Sequence, residues 1–340
     1  MADEIGQVPV DTTEIVVYSE YGSMWIVDSE KSRVSKYTAG GDKILSADHD
    51  FGKPVAVANH IDEYFGCYVA DHDADEILKF DAKGELMTRF TGIPNVVDLA
   101  IHDGTGTLWA VSVSDDDPRL TVINTFTESE IATVKGLQRP VTIVINQTRG
   151  DVWIADIGDT DRIVQIKVSE FLSDLSDTLS SSFAETHDGN FDFDRPIDPG
   201  LAILDAPEAT LYFTDTNHNE VERLIFNNGT YDRGTPVSLE TGVYPSKVEV
   251  SPAGDVWVLG LDGSIWTFDE ESTSDRTPVS EFNDVKECLA NPRVMVADHT
   301  TGNVWIADNG TNLVFEITIS DTVGVKIGGF EFVEDLVINK

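Results

Sequence analysis

Gly150-Asp151-Val152-Trp153-Ile154-Ala155-Asp156 and Gly302-Asn303-Val304-Trp305-Ile306-Ala307-Asp308 are near-copies of one another. Weaker copies occur at Met24-Trp25-Ile26-Val27-Asp28, Cys67-Tyr68-Val69-Ala70-Asp71, Leu108-Trp109-Ala110-Val111, Leu211-Tyr212-Phe213-Thr214-Asp215 and Val256-Trp257-Val258-Leu259. Each is a short apolar run with a central aromatic, and most end in aspartate. Successive aromatics lie 43, 41, 44, 59, 45 and 48 residues apart. A period near 40 to 50 residues built of short strands is the signature of a β-propeller, one four-stranded blade per repeat. The expected fold is all-β, a seven-bladed β-propeller of four-stranded antiparallel blades.

One unit can be read whole. In blade three, residues 94–101 are expected as the inner strand a, then Thr107–Val113 (b), Leu120–Asn124 (c) and Glu130–Lys135 (d), each rich in β-branched and aromatic residues and bounded by turn formers. Strand b is apolar on both faces, as a sheet sandwiched between neighbouring blades requires. A proline opens strand a in most units (Pro54, Pro94, Pro140, Pro245, Pro292), a site that tolerates a missing N–H. Both 14–19 and 333–338 resemble strand a, and either could close the ring. The domain reading is an N-terminal arm over 1–12 and one propeller over 13–340.

The 59-residue spacing marks an insertion in blade four over 169–199. Within it, Phe171, Leu172, Leu175 and Leu179 fall on one face of an expected helix over 170–179. That face either packs on its own blade or presents Phe171, Leu175 and Leu179 to a partner.

The chain carries 61 acidic and 23 basic residues, a formal net charge of −38, with 41% hydrophobic residues. Its aromatic and β-branched content excludes an acidic disordered chain. Charge of this size, spread over nearly every blade, suits a halophilic protein, because in molar salt the Debye length is about 3 Å and self-repulsion is screened. Nucleic acid is excluded as a ligand for want of a basic stripe. No apolar run is long enough for a membrane span, and residues 1–6 lack the order of a secretory signal, so a cytoplasmic location, or one in a virion, is expected. The three Asn-x-Thr sequons at Asn146, Asn228 and Asn309 are read as chance matches. Cys67 stands at a core position of the repeat, and Cys288 in a loop, with no zinc-ligand spacing.

The b-to-c and d-to-a loops of a propeller gather at one end of its channel. The candidate binding residues there are Asp71, Asp73, Asp115, Asp156, Asp159, Asp215 and Asp308. Clustered oxygen ligands could hold Ca²⁺ or Mg²⁺ in the channel. Recurrence of one aspartate per repeat instead favours Asx-turns that shape each loop, with no cofactor. His72, flanked by Asp71 and Asp73, and His218 are the candidate catalytic groups; His60, His102 and His299 end strand a at the opposite mouth.

From Leu137-Gln138-Arg139-Pro140 through Gly150–Asp156 to Asp161–Ile166, and again over Gly302–Val314, the chain resembles NHL-repeat proteins and is similar to virginiamycin B lyase-like propellers. NHL propellers mostly bind proteins, peptides or other macromolecules, whereas the lyases add a magnesium-assisted histidine and glutamate site. No motif here matches that site residue by residue, so the resemblance implies architecture and no catalytic residue. The resulting expectation is a non-catalytic structural or protein-binding module, as a subunit of a larger assembly or homo-oligomer. The absent signal and the acidic arm point to a virion surface, turret or tail component of a halophilic virus, with protein subunits or a host surface glycan as partners. The competing readings are a metal-dependent lyase or lactonase and a free cytosolic NHL scaffold.

Overall fold

The computed structural model describes residues 22–59, 66–114, 116–193, 199–205, 209–268, 289–318 and 322–339. Seven antiparallel sheets stand around a central channel, in a seven-bladed propeller. Their inner strands are Pro54–Asn59, Val96–His102, Pro140–Asn146, Leu201–Leu204, Pro245–Val250, Pro292–Ala297 and Val333–Ile338. In blade six, three strands are described. Blade three runs Val96–His102, Thr107–Ser112, Arg119–Asn124 and Ser129–Lys135, within two residues of the boundaries read from sequence. No helix among the described residues is long and apolar enough to cross a membrane.

The C-terminal strand closes the ring. Val333–Ile338 pairs antiparallel with Met24–Asp28 and so completes the first blade from the far end of the chain. The pairing covers the inner edge of Met24–Asp28, which would otherwise be open to other chains, and leaves only the short outer edges of the blades. Residues 1–12 and 14–19 lie outside the described residues, as do His60, Asp115 and Cys288.

The recurring aromatics Trp25, Tyr68, Trp109, Trp153, Tyr212, Trp257 and Trp305 are all buried. They pack between sheets: Trp25 and Val27 of blade one share a cluster with Phe51, Val57, Cys67 and Val69 of blade two. This is why the second strands are apolar on both faces. Burial pushes the Cys67 thiol far above its ordinary pKa, which leaves it an inert core side chain.

Six of the seven inner strands share one irregularity. Pairing with the second strand slips between residues 54 and 56, 96 and 98, 140 and 142, 245 and 247, and 292 and 294, and at the same level in blade one. The bulge, which in four of these strands follows an opening proline, re-aims the next side chain. Ala56, Asp98, Thr142, Gly200, Lys247, Val294 and Asp335 consequently line one level of the channel. Gly200 takes its place opposite Thr214, donating its N–H to Oγ1 (2.9 Å) and accepting the Thr214 N–H (3.1 Å).

The blade-four insertion departs from the expected helix over 170–179. The helix spans Val168–Asp174 and ends at Leu175 in the left-handed conformation (φ 50°). It has no side-chain N-cap, and the run Ser173-Asp174-Leu175-Ser176-Asp177 offers competing local hydrogen bonds that disfavour another turn. Beyond it the chain lies along the outer edge of blade three, where Lys135 donates to the Asp177 carbonyl (2.8 Å) and accepts the Leu179 N–H (2.9 Å). Phe171 is buried against Trp109 and Phe183 at 5.2 and 5.3 Å between centroids. Leu172 and Leu179 are half-buried on the same cluster, and Leu175 is exposed.

Candidate functional site

The recurring aspartates are clasps between loops. At the exit of the second strand, Asp71 accepts the N–H groups of Gly52 and Lys53, both at 2.7 Å. Asp156 takes those of Gln138 (2.8 Å) and Arg139 (2.7 Å), and Asp308 those of Ala290 (2.6 Å), Asn291 (2.7 Å) and Gly310 (2.9 Å). Asp28 accepts from Glu331 and Phe332 and Asp215 from Asp192, at 3.1–3.3 Å. All five carboxylates are buried. Each fastens the loop that leads into its own blade's inner strand, and does so with charge-assisted bonds. A backbone strap accompanies the clasp, for example from His72 N–H to the Lys53 carbonyl (2.9 Å) and from Ile157 N–H to the Arg139 carbonyl (3.0 Å). Blade three retains the strap but has Ser112 in the aspartate's place, and its buried Oγ has no hydrogen-bond partner.

The exposed candidates do not converge. Asp73 and Asp159 lie on the surface of their loops, and Asp159 donates its N–H to Gln138 Oε1 (2.8 Å). His72 reaches its neighbour Asp73 (Nδ1 to Oδ1, 2.9 Å) and borders the channel. His218 pairs with the clasp carboxylate of its own blade (Nδ1 to Asp215 Oδ2, 3.0 Å) and does not border the channel. That hydrogen bond, reinforced by the acidic charges of Asp215, Asp192 and Glu220, holds the His218 imidazolium above the usual histidine range. His299 borders the channel at the opposite mouth, and His102, in blade three, is buried, with Nδ1 2.7 Å from Thr105 Oγ1.

The most asymmetric chemistry lies at the bulge level of the channel, a cavity of about 980 Å³. Two carboxyls and one ammonium, Asp98, Asp335 and Lys247, stand where other blades present Ala56, Thr142, Gly200 and Val294. Asp335 accepts the N–H groups of Val57 and Leu336, both at 2.8 Å, and Asp98 those of Ile143 (2.9 Å) and Leu99 (2.8 Å). The bonds to Val57 and Ile143 cross to the next blade. Asp335 is half-buried on the wall of the lumen. Burial of its carboxyl, with Asp98 nearby, pushes its pKa up to about 8 against the pull of the two N–H donors and Lys247. These residues lie outside the recurring motifs of the sequence. Their signal was positional: each is charged and lies two residues after the start of an inner strand, where blades two and seven have alanine and valine.

No protein-family model and no curated protein matches the sequence. Solved structures share the fold. A protein of unknown function from Desulfotomaculum acetoxidans superposes with a TM-score of 0.71 at 14% identity, covering 93% of this chain and 98% of that one. Virginiamycin B lyase from Staphylococcus aureus gives 0.60 at 14% identity, covering 83% and 86%. A putative 6-phosphogluconolactonase from Bacteroides fragilis gives 0.67 at 11% identity, covering 95% and 99%. At these identities the common property is the propeller itself.

Proposed function

We propose that this chain is a non-catalytic, salt-adapted binding module, a stiff acidic disc that docks a cationic protein surface at its loop-bearing face within a larger assembly. The clasp carries this reading. In blades one, two, four, five and seven the loop carboxylate best placed to serve a ligand is buried and engaged by backbone N–H groups, so it acts as a fastener of the platform. What the platform offers outward is acidic, as at Asp48, Asp73, Asp75 and Asp159, and the chain as a whole carries −38. That charge favours a cationic protein over a neutral glycan and suits molar salt, where docking relies on short-range contact more than on steering. A virion surface, turret or tail subunit is one setting of this kind.

Light scattering on the purified protein in about 2–3 M salt, where surface charges are screened, tests the assembly. A discrete oligomer or a stable complex with a neighbouring subunit is expected. A monomer at every salt concentration that also binds no particle component would sink the reading.

A second reading, a metal-dependent lyase or lactonase, is favoured by one observation, the unequal ring of Asp98, Lys247 and Asp335 in the channel. A carboxyl with a pKa near 8 has the proton affinity of a general acid or base at neutral pH. Turnover of virginiamycin B or of a lactone with Mg²⁺, abolished in Asp335→Asn, would replace the binding module by the enzyme.

A further inference from the structure

Comparison of the blades with one another exposes a misfit in blade two. Directly across the strand pair from the clasp carboxylate stands Arg33 in blade one and Arg162 in blade four. They approach Asp28 and Asp156 at 3.1 and 2.6 Å. In blade seven the same register holds Leu313. In blade two it holds Glu76, so that Asp71 faces a second carboxylate. Both are buried, at 0% and 5% exposure, and like charges directly opposite one another on a sheet are destabilising. Blade five has a related pair, Asp215 and Glu220, but there Glu220 is half-buried and accepts from Ser238 Oγ (2.7 Å).

A histidine enters the blade-two pair from another segment. His49, on the loop that joins blades one and two, lies with Nε2 3.6 Å from Glu76 Oε1. One ligand atom each from His49, Asp71 and Glu76 lies within 4.8 Å of the other two. The imidazole is held edge-on to Phe51 (4.8 Å, 89°) and beside Phe80. The Gly52 and Lys53 N–H groups orient Asp71 as outer-shell donors orient a ligating carboxylate. The counter-charge in place is Arg89, whose guanidinium stands 3.4–3.5 Å from Glu76 and 3.4 Å from His49 Nδ1. It is half exposed, and its contact is longer than the Arg33 and Arg162 bridges.

We propose that His49, Asp71 and Glu76 form a binding site for a divalent transition-metal ion such as zinc at the junction of blades one and two. One imidazole nitrogen and two carboxylate oxygens are a borderline-soft donor set suited to such ions. Bonds of about 2.0–2.2 Å need the three atoms to draw closer together by side-chain rotation, with water completing the shell. Coordination through Nε2 requires the imidazole proton on Nδ1. Arg89 therefore gives up its bond to Nδ1 and swings into solvent, and the ion's charge replaces its own beside Glu76. A bound ion would tie the inter-blade loop to the strand pair of blade two. The site shares Asp71 with the clasp of the face proposed above, but its test does not depend on that face binding a partner.

The test uses the full chain, stripped with EDTA and titrated with zinc by calorimetry in about 1 M sodium nitrate, which screens the acidic surface. Cobalt(II) absorption reports the ligand set. One equivalent of zinc is expected, with affinity falling at least about 10- to 100-fold in His49→Ala and Glu76→Gln, since even outer-shell losses reach that size. Arg89→Ala is expected to tighten binding, an outcome that damage to the fold would not produce. Weak binding of several equivalents, or binding unchanged in His49→Ala and Arg89→Ala, would overturn the proposal.

Discussion

The clasp makes its sharpest prediction at Asp308, where no basic side chain complicates the account. Truncation to alanine leaves three N–H donors, on Ala290, Asn291 and Gly310, without their acceptor. An orphaned donor costs about 1–3 kcal/mol when buried. These three residues are exposed, so water recovers part of that and the lower end applies, about 3 kcal/mol in all. At about 2.1 cal/mol/K per residue, a 340-residue chain unfolds with an entropy near 0.7 kcal/mol/K, so the melting point should drop by about 4 °C. Asparagine in the same place retains one oxygen for Asn291 and Gly310 but sets its amide against the Ala290 N–H, and should cost about half as much. Urea unfolding followed by tryptophan fluorescence in about 2 M salt measures both, with salt held high to screen the net charge. Asp159→Ala, on the exposed loop surface, is the control and should change stability by less than about 0.5 kcal/mol. If Asp308→Ala is as mild as that control, the carboxylate does not hold the loop and the clasp argument fails.

Three further outcomes are expected. The Asp335 carboxyl keeps a proton in the fold up to pH about 8 that the unfolded chain has lost above its ordinary pKa of 3.8. Its contribution to stability is therefore greatest at acid pH and declines as pH rises through that window, by a few kcal/mol at most. Urea midpoints of Asp335→Asn should fall less steeply from pH 5 to 8 than those of the parent, and parallel profiles would contradict the assignment. For His218 the shift is upward through Asp215, so its stabilisation is full below the ordinary histidine pKa and is lost as pH rises through the folded value. NMR titration of the imidazole should move to lower pH in Asp215→Ala, and an unmoved midpoint removes the Asp215 cause. Deleting 333–340 leaves Met24–Asp28 without its inner partner and opens the ring. An aggregating product rescued by a peptide of residues 329–340 is expected, whereas a soluble monomer with the parental melting point would show that closure is dispensable.

The blades were legible because the information is local and repeated. An aromatic such as Trp153, flanked by Val152 and Ile154 and followed by Asp156, announces a doubly buried strand and its exit without reference to any other part of the chain. Closure was not legible, since 14–19 and 333–338 carry the same pattern and choosing between them is a tertiary matter. The insertion misled for a related reason: Phe171, Leu172, Leu175 and Leu179 have helical spacing, but the serines and aspartates among them end the helix at Asp174, and Leu179 reaches the core by lying along blade three. The recurring aspartates suggest, from sequence, turns that shape the loops following them. In blades two, four and seven they bind backbone 17 to 19 residues upstream, and that contact exists only once the two loops are brought side by side.

Departures from the repeat carry the rest. In a ring of near-equivalent units, a residue type that recurs at one position has a cause common to all blades, and the aspartate clasp is such a cause. A charged group at a position that neighbouring blades fill with a neutral or oppositely charged one has no such cause. Asp98, Lys247 and Asp335, half-buried on the channel wall, and the buried Glu76 opposite Asp71 are such departures. Burying a carboxylate costs free energy unless a cation or a set of donors offsets it. In the channel, backbone N–H groups from the next blade and Lys247 do so in part, and the raised proton affinity of Asp335 measures the remainder. In blade two, Arg89 at 3.4–3.5 Å offsets Glu76 less closely than Arg162 offsets Asp156 at 2.6 Å. The channel therefore relieves its excess negative charge by keeping a proton on Asp335, whereas the buried Asp71 and Glu76 pair in blade two relies on the longer Arg89 contact.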